Sequence, residues 1–144
     1  MPLLNIFHLV VTSACLILIY LIQILHYPSF HFVDENKFKA FHAFHSKKIT
    51  LLVAPLMAVE LFTVLYSCFK IFSILNISMA CAVFGIWLST AFIQVPLHNQ
   101  LQYGKDMILI QRLVDSNWIR TFLWTLEFVL VLFQVFKFEF LKIF

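Results

Sequence analysis

Residues 3–25 read LLNIFHLVVTSACLILIYLIQIL and contain no Asp, Glu, Lys or Arg. At about 1.5 Å of rise per residue, a helix of this length crosses a hydrocarbon core of about 30 Å with some tilt. The rest of the chain has the same character. Of its 144 residues, 62% are hydrophobic and 12% charged, a balance far from that of a soluble domain. The expected fold class is therefore all-α: an integral membrane four-helix bundle with short loops, forming one domain over residues 1–144.

Outward from the first run, the sequence continues His26-Tyr27-Pro28. The residue before a proline is pushed out of the α region, so the first span is expected to end here and Tyr27 to begin an extended or turn segment through His31. Asp34, Glu35 and Asn36 supply helix-start chemistry. An amphipathic lead over residues 37–48, with Phe38, Phe41 and Phe44 on one stripe, then enters a second span over residues 49–69. Lys70 and the Ser73–Asn76 region mark a tight connection to a third span over residues 77–95, which Pro96 bends or ends. A polar loop over residues 100–116, with a short amphipathic stretch at 107–114, precedes the fourth span at residues 117–136. Lys137 and Lys142 are expected to reach the interface beyond it. The N-terminus has no basic region or small-residue cleavage site, so its apolar run is read as a retained span.

The formal charge of +3 is small and its basic residues are scattered, which argues against a nucleic-acid surface and leaves the lipid bilayer as the principal partner. Cys15, Cys68 and Cys81 lie in apolar runs without a CxxC pair and read as buried thiols. The first and third loops with their flanks carry Lys37, Lys39, Lys47, Lys48, Lys105, Arg112 and Arg120, against Lys70, Lys137 and Lys142 on the other side. This bias points to a cell inner membrane with the loops bearing the histidines in the cytoplasm.

Five of the six histidines, His26, His31, His42, His45 and His98, fall at that one end of the expected bundle. His42 and His45 stand at i and i+3 and can touch a common ligand. Gln23 and His26 are also i and i+3, and Gln94 and His98 are i and i+4. His42 and Glu60 are about five helical turns apart, on one face of the second helix. Asn117, Arg120, Trp124 and Glu127 follow i, i+3, i+7 and i+10, a stripe that should face the bundle interior. Glu60 and Glu127 sit roughly 15 Å inside their spans, and a carboxyl at such depth needs a partner or a wet cavity. The plainer reading of each is a protonated carboxyl hydrogen-bonded to a neighbouring helix. His8, about 27 Å before His26 along the helix, is assigned to the opposite membrane face and left out of the set.

The run Val95-Pro96-Leu97-His98-Asn99-Gln100-Leu101, followed by Asn117-Trp118-Ile119-Arg120-Thr121, resembles the small four-helix membrane proteins grouped with anthrone oxygenases. The resemblance covers roughly residues 89–130 and carries over Pro96, Asn99, Asn117 and Arg120. It implies a four-helix membrane fold and, for the namesake members, oxidation of a polycyclic aromatic by oxygen. The pair His42 and His45 lies outside that pattern.

Three function classes follow. The first is a membrane oxidoreductase or oxygenase acting on a hydrophobic small-molecule substrate. In it His26, His42, His45 and His98 could bind a haem or transition metal, or polarise substrate directly. Arg120 and Asn117 would orient a carbonyl or phenolate, and Glu60 or Glu127 would move protons. The second is a noncatalytic accessory or cofactor-binding subunit of a membrane complex or oligomer. The third is a small proton-coupled carrier using the deep carboxyls.

Overall fold

The computed structural model describes the backbone of residues 2–140 and the side chains of residues 3–137. Four helical spans, Leu3–Phe32, Glu35–Lys70, Ile74–Leu101 and Met107–Lys137, are each long and apolar enough to cross a membrane. The protein is an all-α four-helix bundle. The first helix lies against the second and the fourth, and the third closes the ring between the same two neighbours. Connections this short make successive helices antiparallel.

Outward-facing positions such as Leu3, Phe62, Phe92 and Phe122 are exposed hydrophobics, the arrangement a lipid-facing surface requires. The interior is layered. Ile22, Phe30, Phe38, Leu101 and Leu113 fill one end. Cys15, Ile19, Met57, Ile86 and Trp124 fill the middle, and Val64, Met79, Val83 and Val131 the other end.

Pro28, expected to end the first span, does not, and at Pro96, expected to bend or end the third, the helix runs on past a local change of turn. Tyr27 is α-helical at φ −66° and ψ −43°, and helical structure runs on through Tyr27–Ser29 and a 3₁₀ turn at Phe30–Phe32. A π turn precedes each proline: Ile22–His26 before Pro28 and Thr90–Gln94 before Pro96. In each, the residue before the proline donates its N–H five positions back, Tyr27 to the Ile22 carbonyl and Val95 to the Thr90 carbonyl. Widening the helix by one residue just ahead of the ring relieves the clash that a proline otherwise makes with the preceding turn. The third helix therefore reaches Leu101 and carries His98 on its inner end.

Two further boundaries differ from expectation. The amphipathic lead and the second span form one continuous helix, Glu35–Lys70, with Pro55 inside it. The residues expected as a long polar loop are mostly helical, because the fourth helix already begins at Met107. The Asp106 carboxylate caps it, accepting from Ile108 N at 2.8 Å and Leu109 N at 3.0 Å. Ile110 and Leu113 are fully buried against Phe30 and Phe38, so the short amphipathic stretch is the first part of the fourth helix. At the other end Ser73 caps the third helix, accepting from Asn76 N at 3.2 Å. Lys137 is exposed; Lys142 lies outside the described residues.

Candidate functional site

His26, His42, His45 and His98 converge at one end of the bundle. The i, i+3 spacing turns His42 and His45 inward from the second helix, and both are 3% exposed. The first π turn presents His26, and the helical stretch after the second presents His98. His42 Nε2 meets His98 Nδ1 at 3.0 Å. His26 Nε2 meets His45 Nδ1 in a short hydrogen bond. The rings of His45 and His98 stack with centroids 5.5 Å apart. Phe30 supports the cluster edge-on at 4.9 Å from the His45 ring, and Phe38 stacks on His42 at 5.9 Å. His26 and His98 keep part of their surface exposed, so the cluster can be reached from outside.

Tyr27 and Arg120 complete this end. The Tyr27 hydroxyl meets His98 Nε2 at 3.1 Å, and the Arg120 guanidinium lies beside the same hydroxyl. Arg120 is 4% exposed, with its guanidinium carbon 5.4 Å from the Trp124 ring centre. Among the described residues no carboxylate lies within ion-pair distance of it, and its Nε is unpaired. Taking a guanidinium out of water without a counter-charge is costly. Such a cation, with only an aromatic face and a hydroxyl around it, is suited to holding an oxygen that develops negative charge.

The stripe Asn117, Arg120, Trp124 and Glu127 faces inward as its spacing predicts, each residue at most 4% exposed. Its members divide between two tasks. Asn117 donates to Gln23 Oε1 at 2.8 Å, and Gln23 Nε2 donates to the Val114 carbonyl at 3.1 Å. Thr121 also reaches Gln23 Oε1, at 3.4 Å. These bonds fasten the first π turn to the fourth helix, and so fix where His26 and Tyr27 stand. Glu60 and Glu127 lie deeper in the bundle, in a cluster of their own. Trp124 Nε1 donates to Glu60 Oε2 at 2.8 Å, and His8 Nε2 meets Glu127 Oε1 at 3.2 Å.

His31 stays outside the cluster. Its carbonyl accepts from Lys105 Nζ at 2.8 Å, and the Val33 carbonyl accepts from the same ammonium at 2.7 Å. Lys105 thereby clasps the first and third loops together over the histidines.

Two participants were not anticipated. Tyr27, read as the start of an extended or turn segment, is the partner of His98. His8, excluded for its position along the chain, is the partner of Glu127. A signal for His8 existed in the helical spacing of His8, Thr12, Cys15 and Ile19, all of which are buried.

His42 pairs with His98 and His26 with His45, while His45 Nε2 is buried without a partner among the described residues. Among the described residues no group of three or more His, Cys, Asp or Glu side chains is arranged to hold a metal ion. Imidazoles paired in this way can take up a proton and pass it on. Compared with family models, curated proteins and solved structures, the chain matches none.

Proposed function

We propose that the chain is a membrane oxidoreductase or oxygenase that oxidises a lipid-soluble hydroxyarene or aryl ketone at the histidine end of the bundle. The observation that carries this reading is the meeting of four imidazoles with the Tyr27 hydroxyl and a buried guanidinium that has no carboxylate partner among the described residues. The resemblance to the anthrone-oxygenase group points to the same substrate class.

In the proposed step Arg120 holds the substrate oxygen. An imidazole, His42 or His98, accepts the proton from the adjacent ring carbon or hydroxyl, leaving an enolate or phenolate that Arg120 stabilises. Electrons then pass from this anion to dioxygen. For an aromatic methylene the balance is one oxygen atom entering the carbon as a carbonyl, while the other leaves as water with the two methylene hydrogens. The proton can pass between His42 and His98, which are hydrogen-bonded to each other, and His26 with His45 forms a second such pair beside them. Gln23 and Asn117 are positioning residues, and Tyr27 orients His98 through its hydroxyl.

The excess of basic residues on the histidine side supports a cytoplasmic placement for this end of the bundle. The hydrophobic substrate would then arrive from the bilayer and meet the site near that interface.

The experiment is turnover of an anthrone-type substrate by detergent-purified protein, followed by oxygen uptake and by elemental analysis of the same sample. His42→Ala and His98→Ala are each expected to lower the rate about 10²–10⁴-fold, the usual weight of a general base. His31→Ala is expected to leave the rate unchanged. Equal rates in all three variants would overturn the reading. A stoichiometric metal lost in His42→Ala would replace the proton-transfer mechanism by a metal-based one.

A further inference from the structure

Deeper in the bundle, the cluster of Glu60, Glu127, His8, Trp124 and Cys15 has no part in holding the substrate. Glu60 and Glu127 are both 0% exposed and come from different helices. Trp124, which holds Glu60, and Glu127 stand one turn apart on the buried face of the fourth helix, so the two carboxyl groups are neighbours. Each has one oxygen in use: Glu60 Oε2 accepts from Trp124 Nε1 at 2.8 Å, and Glu127 Oε1 meets His8 Nε2 at 3.2 Å. Each has the other oxygen without a partner, Glu60 Oε1 and Glu127 Oε2.

Unpaired buried acceptors are rare enough to demand an explanation. Two like charges side by side in the interior are still harder to sustain. One proton answers both problems, since a hydrogen on either free oxygen makes an O–H···O bond to the neighbouring carboxyl and satisfies both. His8 meets the pair through Glu127 Oε1, and an imidazolium there would offset one negative charge and leave the other to the shared proton.

We propose that Glu60 and Glu127 form a buried proton-binding site, holding one proton between them, and that this proton exchanges toward the histidine end. The exchange route passes a small cavity of about 10 Å³, lined mostly by apolar side chains such as Leu18, Ile22, Val53 and Met57, with Cys15 and Arg120 among them. Its volume is at the lower limit for a single water, and Cys15 and Arg120 are the groups able to hold one. Cys15 also borders Glu60, and Arg120 borders Tyr27, so the cavity lies between the carboxyl pair and the hydroxyl that meets His98. In the exchange step one carboxyl O–H bond breaks as an equivalent O–H bond forms from solvent, and the net charge of the pair is unchanged. Thr12 and Ser89, each with an unpaired buried hydroxyl oxygen, lie on the first and third helices.

The test is infrared spectroscopy of the full chain in lipid nanodiscs, on transfer from H₂O to D₂O. It needs no turnover, so its outcome stands apart from that of the oxidoreductase reading. A protonated-carboxyl band is expected in the wild type. Glu60→Gln should shift it, and the double variant Glu60→Gln with Glu127→Gln should remove it, with the helical amide bands retained as the check on folding. Absence of the band in the wild type, or its survival in the double variant, would overturn the site. Cys15→Leu and Met57→Phe fill the cavity from two different helices and should each slow the deuterium shift of that band at least tenfold. An unchanged exchange rate in both would overturn the route.

Discussion

His42 Nε2 lies 3.0 Å from His98 Nδ1, although the two residues are 56 positions apart and belong to different helices. His98 also meets the Tyr27 hydroxyl at 3.1 Å on its other nitrogen. One imidazole thus links the first, second and third helices, and that linkage sets the consequences of removing it.

His98→Ala leaves His42 Nε2 and the Tyr27 hydroxyl without their partner. Each unsatisfied buried group costs about 1–3 kcal/mol, so a lowered thermal unfolding midpoint is expected in detergent. His31→Ala, at the same end but outside the cluster, should leave the midpoint where it is. Equal shifts in the two variants would contradict the cluster.

Arg120→Gln removes the cation that, in the proposed reaction, would hold a developing oxyanion. The expected loss in turnover is about 10²–10³-fold, the weight of one such donor. Because the guanidinium lies against Trp124, the tryptophan fluorescence of the variant should change as well. Wild-type turnover in Arg120→Gln would remove Arg120 from the mechanism.

Gln23→Leu keeps the volume of the side chain but loses its bonds to Asn117, Thr121 and the Val114 carbonyl. A destabilisation of about 2–3 kcal/mol is expected. Gln111→Leu serves as the control, since Gln111 makes an exposed contact with Asp115, and a surface change of this kind falls within about 0.5 kcal/mol. Thermal unfolding of the two variants side by side distinguishes a fastening from a generic loss of polarity.

Lys105→Met releases the carbonyls of His31 and Val33. The cost should be about 1–2 kcal/mol, because the donor is charged and the site partly exposed. Hydrogen exchange followed by mass spectrometry should show faster exchange of the backbone in the connection between the first two helices. Unaltered exchange there would mean that the clasp does not order the loops.

The legible part of this protein was whatever depends on composition and period. An apolar run long enough for a bilayer can satisfy its backbone only as a helix, so the four spans were readable directly from residues such as 3–25. The inward stripe Asn117, Arg120, Trp124 and Glu127 and the common face of His42 and Glu60 followed from helical geometry, and all six residues are buried. The gathering of histidines at one end was a consequence of topology, since successive antiparallel spans return to the same side.

Packing between helices decided the rest. A proline reads as a stop because it lacks an N–H and crowds the preceding turn, yet π turns ahead of Pro28 and Pro96 carry both helices through. That wider turn has no sequence period, and neighbouring helices select it. It keeps Tyr27 helical and brings its hydroxyl to His98. The division of the polar residues into an imidazole end and a carboxyl pair also arose in three dimensions. Depth along a helix shows that Glu60 and Glu127 are buried, but only the relative rotation of the helices sets them side by side, with His8 as their neighbour.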